Sequence, residues 1–297
     1  MTPDQAFDRY EKIRDRLPAA PQGGDGIQIA GLHELADQID VFVFDAFGVL
    51  NVGERPIPGA HDRVQQLREM GKQVLVLTNA ASFTRAQTEA KFSRLGFEFA
   101  PSEIISSRQV CEAHLASINP NGQWGVIAPP DFFPDDLEVD ALALQGDQND
   151  YDQVQAFLML SAAGWNADRQ TLLRDSLRRT PRPLVVANPD LVAPREDGLS
   201  LEPGFYAHEL QDQLGGQVIF HGKPFASVYE TVERRFPDIN LNRIAMIGDT
   251  LHTDILGARA RGWRAALITD HGLFAGLDVH KFIDASGIAP DWIAPSI

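Results

Sequence analysis

One cysteine, Cys111, stands among 297 residues. That excludes an intramolecular disulfide and any metal site built on paired cysteines, and it makes a cytoplasmic location the expectation. Basic charge is also scarce: 26 Lys and Arg face 41 Asp and Glu, a net charge of −15. A surface of that sign repels phosphate backbones and anionic headgroups, so neither nucleic acid nor a membrane is expected as a partner. A local basic pocket could still hold a small anion. No run is long and apolar enough to span a bilayer. The opening "MTPDQAFDRYEKIRDRLPAA" is charged and helix-patterned, without the apolar stretch of a secretory signal. With 44% hydrophobic residues, the chain can bury a full core, as two domains or as one domain carrying a large insertion.

What is present is a rhythm of strand and helix. Val41–Asp45 (VFVFD), Val74–Thr78 (VLVLT) and Ile244–Gly248 (IAMIG) are short, continuous apolar runs ending in polar or glycine residues. Strands buried on both faces have this character. Amphipathic segments at His61–Met70, Thr84–Leu95, Phe225–Phe236 and Asp254–Arg261 separate or follow them. The alternation argues for an α/β fold, a Rossmann-like parallel sheet with right-handed crossovers. From Ser107 to Phe205 the composition becomes loop-rich. GVIA, ALAL and PLVVAN read there as further strands, and Tyr151–Leu160 and Thr171–Arg179 as helices. This segment reads as a second α/β unit inserted into the first.

Chemistry in an open parallel sheet gathers beyond the carboxyl ends of its strands. Four polar signals fall at such places: Asp45, the pair Thr78 and Asn79, Lys223 in HGKP, and Asp249 with Asp254 in GDTLHTD. Each has an ordinary explanation alone, as a turn residue, a helix cap, a solvated lysine or a partner for a helix dipole. Together, and in this order, they are hard to dismiss.

The motifs FDAFGVLNVG…PIPGA, VLTNAAS, ANPD…EDG, HGKP and MIGDTLHTDILGA resemble those of the haloacid dehalogenase (HAD) superfamily hydrolases. The likeness is to the class IIA, NagD-like and 4-nitrophenylphosphatase-like branch. It covers the chain from about Gly31 onward. It implies an N-terminal extension at 1–30, a core at 31–106 and 206–297, and a large inserted cap at 107–205. It also implies a Mg2+-dependent phosphatase of small phosphorylated metabolites. Asp45 would be the nucleophile that becomes an aspartyl-phosphate. Asp45, the Phe47 backbone carbonyl and Asp249 would hold the metal, supported by Asp254 either directly or through water. Thr78 and Asn79 would bind phosphate oxygens, beside the amino end of the next helix. Lys223 would pair with both nucleophile and phosphate, and Asn188, Asp190 and Arg195 of the cap would contact the substrate. A homodimer is left open. The side chains suit those roles independently: a carboxylate can split one hard displacement into two easier ones, and a hard cation prefers oxygen ligands.

Phe47 departs from the family pattern. Phosphatases of the superfamily usually carry a second aspartate there, which protonates the leaving oxygen and later activates water. Phenylalanine can do neither, and such help is worth about 10²–10⁴-fold. Three readings follow: a phosphatase that is slow or prefers good leaving groups, a haloacid dehalogenase-like hydrolase whose halide needs no proton, or a catalytically silent binding protein. His252 and His221, beside the catalytic motifs, are candidates to replace the missing acid. Trp124 and Trp165 read as packing residues.

Overall fold

The computed structural model describes residues 1–297 except Gln22, Glu196 and Asp197, so the Glu-Asp of the EDG motif lies outside the described residues. A seven-stranded parallel sheet forms the larger unit. Its order across the sheet is Ile27–Gln28, Trp292–Ala294, Arg264–Ile268, Ile244–Gly248, Val41–Phe44, Gln73–Thr78, Ile104–Ser106. The Val41–Phe44 strand is buried on both faces because its alternate side chains enter two different cores. Val41 and Val43 join one with Leu75, Leu77 and Met246; Phe42 and Phe44 join the other with Val74, Val76 and Ile247. The three expected central strands are therefore neighbours, and their carboxyl ends share one edge.

A second parallel sheet has five strands: Ile219–Phe220, Leu184–Val186, Ala156–Met159, Trp124–Ile127 and Ala141–Ala143. Trp124 and Trp165 are buried in its two cores. Two sequence expectations need correcting here. Tyr151–Leu160 is not one helix: a short helix, Gln148–Gln153, ends before the central strand Ala156–Met159. A brief apolar run such as AFLM carries no helical period to distinguish it from a strand. The expected boundary after residue 205 also cuts this unit, because Ile219–Phe220 pairs with Val185–Val186, and Ala207 and Leu210 pack in its core.

The first 30 residues are not an appendage. Pro3–Lys12 is a helix opened by a Thr2–Gln5 capping box. Its Ala6, Phe7 and Tyr10 are buried in the main core, and Ile27–Gln28 adds an edge strand to the large sheet. Among the described residues no helix is long and apolar enough to cross a membrane.

Candidate active site

Asp45 follows the central strand directly, its N–H still donating to the Ile247 carbonyl at 2.9 Å. The turn beyond it is closed by Asn51 N–H to the Ala46 carbonyl and Gly48 N–H to the Asn51 carbonyl, both 2.9 Å. Gly48 has φ +76°, and a Cβ there would lie 2.8 Å from the Asp249 carboxylate. Only glycine fits both demands.

Asp249 ends the neighbouring strand. Its Oδ2 accepts the Leu273 N–H at 2.9 Å and its Oδ1 accepts the Thr250 hydroxyl at 3.2 Å. The chain then makes a single π turn at Leu251–Ile255 before the α-helix Leu256–Ala260, so the expected uniform helix from Asp254 begins as a bulge. Wide turns of this kind often occur at functional sites. Here it carries the fully buried Asp254 back under the strand end, where Oδ2 accepts the Thr250 N–H at 3.1 Å.

Lys223 lies between two of the carboxylates, its Nζ 2.6 Å from Asp45 Oδ1 and 2.7 Å from Asp254 Oδ1. Its backbone is gripped by the Asn79 side chain, whose Oδ1 accepts the Lys223 N–H at 2.7 Å while Nδ2 donates to the Lys223 carbonyl at 2.9 Å. The same Nδ2 donates to Asp190 Oδ1 at 2.8 Å. The Asn79 side chain is thus occupied in holding Lys223 and the loop of Asp190. The Thr78 hydroxyl oxygen accepts the Ala80 N–H at 3.2 Å. The next helix begins only at Arg85, capped by Thr84 and Gln87, so its amino end is already partly satisfied.

One oxygen from each of Asp45, Asp249 and Asp254 lies within 4.8 Å of the others. Three carboxylates and one ammonium leave two negative charges uncompensated, a formal balance that suits a divalent cation. Asp254 Oδ1 is buried, with the Lys223 ammonium 2.7 Å away. The all-oxygen donor set and its uncompensated charge fit a hard divalent metal. Burial, then Asp254, push the Asp45 carboxyl up to about 6 in spite of Lys223. Burial and the other two carboxylates likewise push Asp249 far above the usual range. Burial opposes the charge on Lys223, but Asp254, Asp45 and Asp190 together outweigh it and raise its pKa. A bound cation would reverse the upward shifts of the acids.

The cleft above these groups is lined by Asp45, Phe47, Thr78, Asp190, Arg195 and Asp249, among others. Its far wall is the antiparallel hairpin Val192–Arg195 and Gly198–Leu201. Asn188 braces this loop: Oδ1 accepts the Asp190 N–H at 3.0 Å and Nδ2 donates to Glu202 at 3.2 Å. Arg195 donates to Glu202 at 3.0 Å and lies 5.5 Å from the centroid of the Phe47 ring. Asp190, with its carboxyl raised to about 8 by burial, faces the same space. All the sequence-derived site residues therefore meet at one cleft or directly beneath it, although Asn79, Asn188 and Arg195 have protein partners already.

Neither candidate histidine reaches the cleft. His252 is fully buried, with Nε2 2.5 Å from Glu11, and burial lowers its pKa. His221 bonds Ser227 at 3.0 Å and stacks on His114, and burial takes its pKa down to about 4. Two residues escaped the sequence reading. Lys91 is only 4% exposed, with Nζ 4.0 Å from the Phe47 ring centroid and no ion pair among the described residues. In sequence it is one more lysine on an amphipathic helix, with no signal of its own. Tyr10 also lines the cleft, from a helix that the motif resemblance does not cover.

A Rossmann-like sheet with an acidic cluster at its switch point and a second α/β unit over it defines a class of hydrolases that work through a strand-end carboxylate. The chain belongs to the haloacid dehalogenase-like hydrolases. Residues 42–137 match the family of that description and residues 220–297 match a second HAD hydrolase-like family. Chronophin of Rattus norvegicus is 30% identical over 251 residues, covering 80% of this chain and 79% of that protein. The chloroplastic phosphoglycolate phosphatase 1A of Arabidopsis thaliana is 27% identical over 262 residues, covering 81% of this chain and 71% of that protein. Among solved structures, a possible sugar phosphatase of the HAD superfamily from Cytophaga hutchinsonii superposes with TM-score 0.77 at 26% identity, covering 91% of this chain and 98% of that one. These neighbours place the chain among the phosphatases of the superfamily, in keeping with the NagD-like, class IIA resemblance, as a hydrolase of phosphoric monoesters.

Proposed function

We propose that this protein is a Mg2+-dependent phosphatase of small phosphorylated metabolites, with Asp45 as nucleophile. The observation that carries the reading is the contact of Lys223 Nζ with both Asp45 and Asp254, beside Asp249, at the floor of a cleft. Asp45, Asp249, Asp254 and the Phe47 carbonyl would hold the cation, which supplies charge neutralisation at the transferring phosphoryl group. A free oxygen of Asp45 forms the new bond to phosphorus as the ester P–O bond breaks, and the leaving oxygen either departs as the anion of an acidic alcohol or phenol or takes a proton from solvent. Lys223 orients that carboxylate and offsets charge on the phosphoryl oxygens. The Thr78 hydroxyl and the backbone N–H of Asn79 hold two of them. Water then cleaves the aspartyl-phosphate. Asn188 and Arg195 shape the wall facing the leaving group, and Asp190 meets the substrate from the same side.

The test is a screen of phosphate monoesters with and without Mg2+, run beside halide release from haloacids. Phosphate release that needs Mg2+ and disappears in Asp45→Asn is the expected result. Halide release without metal would favour the dehalogenase reading that Phe47 keeps open. Activity on neither class, with Mg2+ and phosphate still bound, would favour the silent one.

A further inference from the structure

The N-terminal helix touches both units at once. Toward the large sheet, Tyr10 lies flat on His252, ring centroids 4.8 Å apart and planes 8° from parallel, and Phe7 packs against His252 and Phe282. His252 is part of the π turn that carries Asp254, and Glu11 holds its Nε2 at 2.5 Å. Toward the second unit, the Tyr10 hydroxyl oxygen accepts the Leu191 N–H at 3.0 Å, one residue beyond Asp190. Further along, Arg9 and Arg16 both pair with Asp212, at 2.7 and 2.5 Å, and Arg16 donates to the His208 carbonyl at 3.1 Å. Asp212 and His208 stand on the helix Pro203–Leu214, which packs in the core of the second sheet.

We propose that this helix is a strap that fixes the second unit's substrate loop, Asn188–Leu191, over Asp45, and that Tyr10 is the positioning residue at its centre. Tyr10 is 2% exposed yet lines the cleft. Its hydroxyl proton has no acceptor among the described residues, so it is available to a ligand oxygen. Burial, then the negative charge of Asp190, raises its pKa far above the ordinary value, which keeps the phenol a hydrogen-bond donor throughout the working range. The ring fixes the distance between the Asp254 turn and the Asp190 loop. Without the strap, the Asn188–Leu191 loop is tied to the large sheet by the Asn79–Asp190 hydrogen bond and the packing of Leu191, a weaker hold that lets it move more.

Tyr10→Phe tests the strap, because it keeps the ring, its stack on His252 and its core packing and removes only the oxygen. Hydrogen exchange at the Leu191 amide is expected to speed up roughly tenfold, the worth of one ordinary hydrogen bond. That arm is independent of any activity. In the kinetic arm, which rests on the phosphatase reading, KM for a small phosphate monoester is expected to rise roughly tenfold with kcat changing much less. Asp212→Asn, far from the chemistry, cuts the Arg9 and Arg16 anchors. It should move exchange and KM in the same direction by a smaller factor. Unchanged Leu191 exchange in a folded Tyr10→Phe protein overturns the proposal. So does an Asp212→Asn protein in which neither quantity moves. Faster Leu191 exchange in Tyr10→Phe, alongside a wild-type protein that hydrolyses no monoester, would retain the strap and count against the phosphatase reading alone.

Discussion

At the scale of the single residue, the proposed mechanism turns on Phe47, a side chain that can neither give nor take a proton. Attack by Asp45 on a good leaving group needs little acid, but hydrolysis of the aspartyl-phosphate wants a base, so 4-nitrophenyl phosphate should give a burst of nitrophenolate and then a slow steady state. Rapid-quench or stopped-flow traces check this; brisk, burst-free turnover would contradict it. The neighbours of Phe47 sharpen the rescue experiment. An aspartate at this position would stand beside Lys91 and Arg195, which would hold it ionised. Phe47→Asp should therefore help the base-assisted second step more than the acid-assisted first. The steady-state rate on 4-nitrophenyl phosphate is expected to rise by about 10²-fold, the rate on an alkyl phosphate by less. Asp190 gives a pH signature of its own. Its pKa of about 8 keeps it neutral at pH 7 and charged above 8, where it repels a phosphate dianion. KM should climb through that range in the wild type and stay flat in Asp190→Asn, whose amide oxygen can still accept from Asn79.

At the scale of the element, the informative pieces are the turns that bring carboxylates together. Gly272 touches Asp249 so closely that a Cβ there would fall 2.0 Å from its Oδ2. Gly272→Ala should displace that carboxylate and leave the sheet intact, weakening Mg2+ binding roughly 10–100-fold, the usual cost of disturbing a ligand's support. Titration calorimetry on the folded variant measures it, and unchanged affinity would remove Asp249 from the ligand set. The elements also show what a sequence can reveal. VFVFD, VLVLT and IAMIG are legible because a strand buried on both faces needs unbroken apolar residues and ends where a polar residue or glycine stands. The helix-to-strand change within 148–160 was not, because AFLM has too few residues to show a period. The grip of Asn79 on Lys223 spans 144 residues of sequence, and the burial of Lys91 depends on Phe47 lying above it. Neither leaves a local trace. The capped helix at the start was readable as a helix, but its partners, Leu191 and His252, were not.

At the scale of the whole molecule, a chain of net charge −15 concentrates three of its carboxylates at the buried ends of two neighbouring strands, which costs stability. Burial raises the folded-state pKa of Asp45 to about 6, above the ordinary range of an aspartate. The folded protein therefore holds that proton more tightly than the unfolded chain. The resulting stability is complete below about pH 4 and is lost as pH rises through 6. Asp249 acts in the same direction. A cation that binds only the folded cluster opposes this loss, by about 2.7 kcal/mol at a hundredfold excess over Kd, or about 5 °C in Tm for a chain of this size. It competes with protons for the same oxygens, so its effect should be large at pH 7.5 and small at pH 5. Thermal unfolding at the two pH values, with Mg2+ and with excess chelator, separates the terms. In chelator the site should favour pH 5. Added Mg2+ should raise Tm mainly at pH 7.5, and Asp45→Asn should shrink both differences because it removes one of the repelling charges. An equal Mg2+ shift at both pH values, or the same shift in Asp45→Asn as in the wild type, would place the cation somewhere other than this cluster.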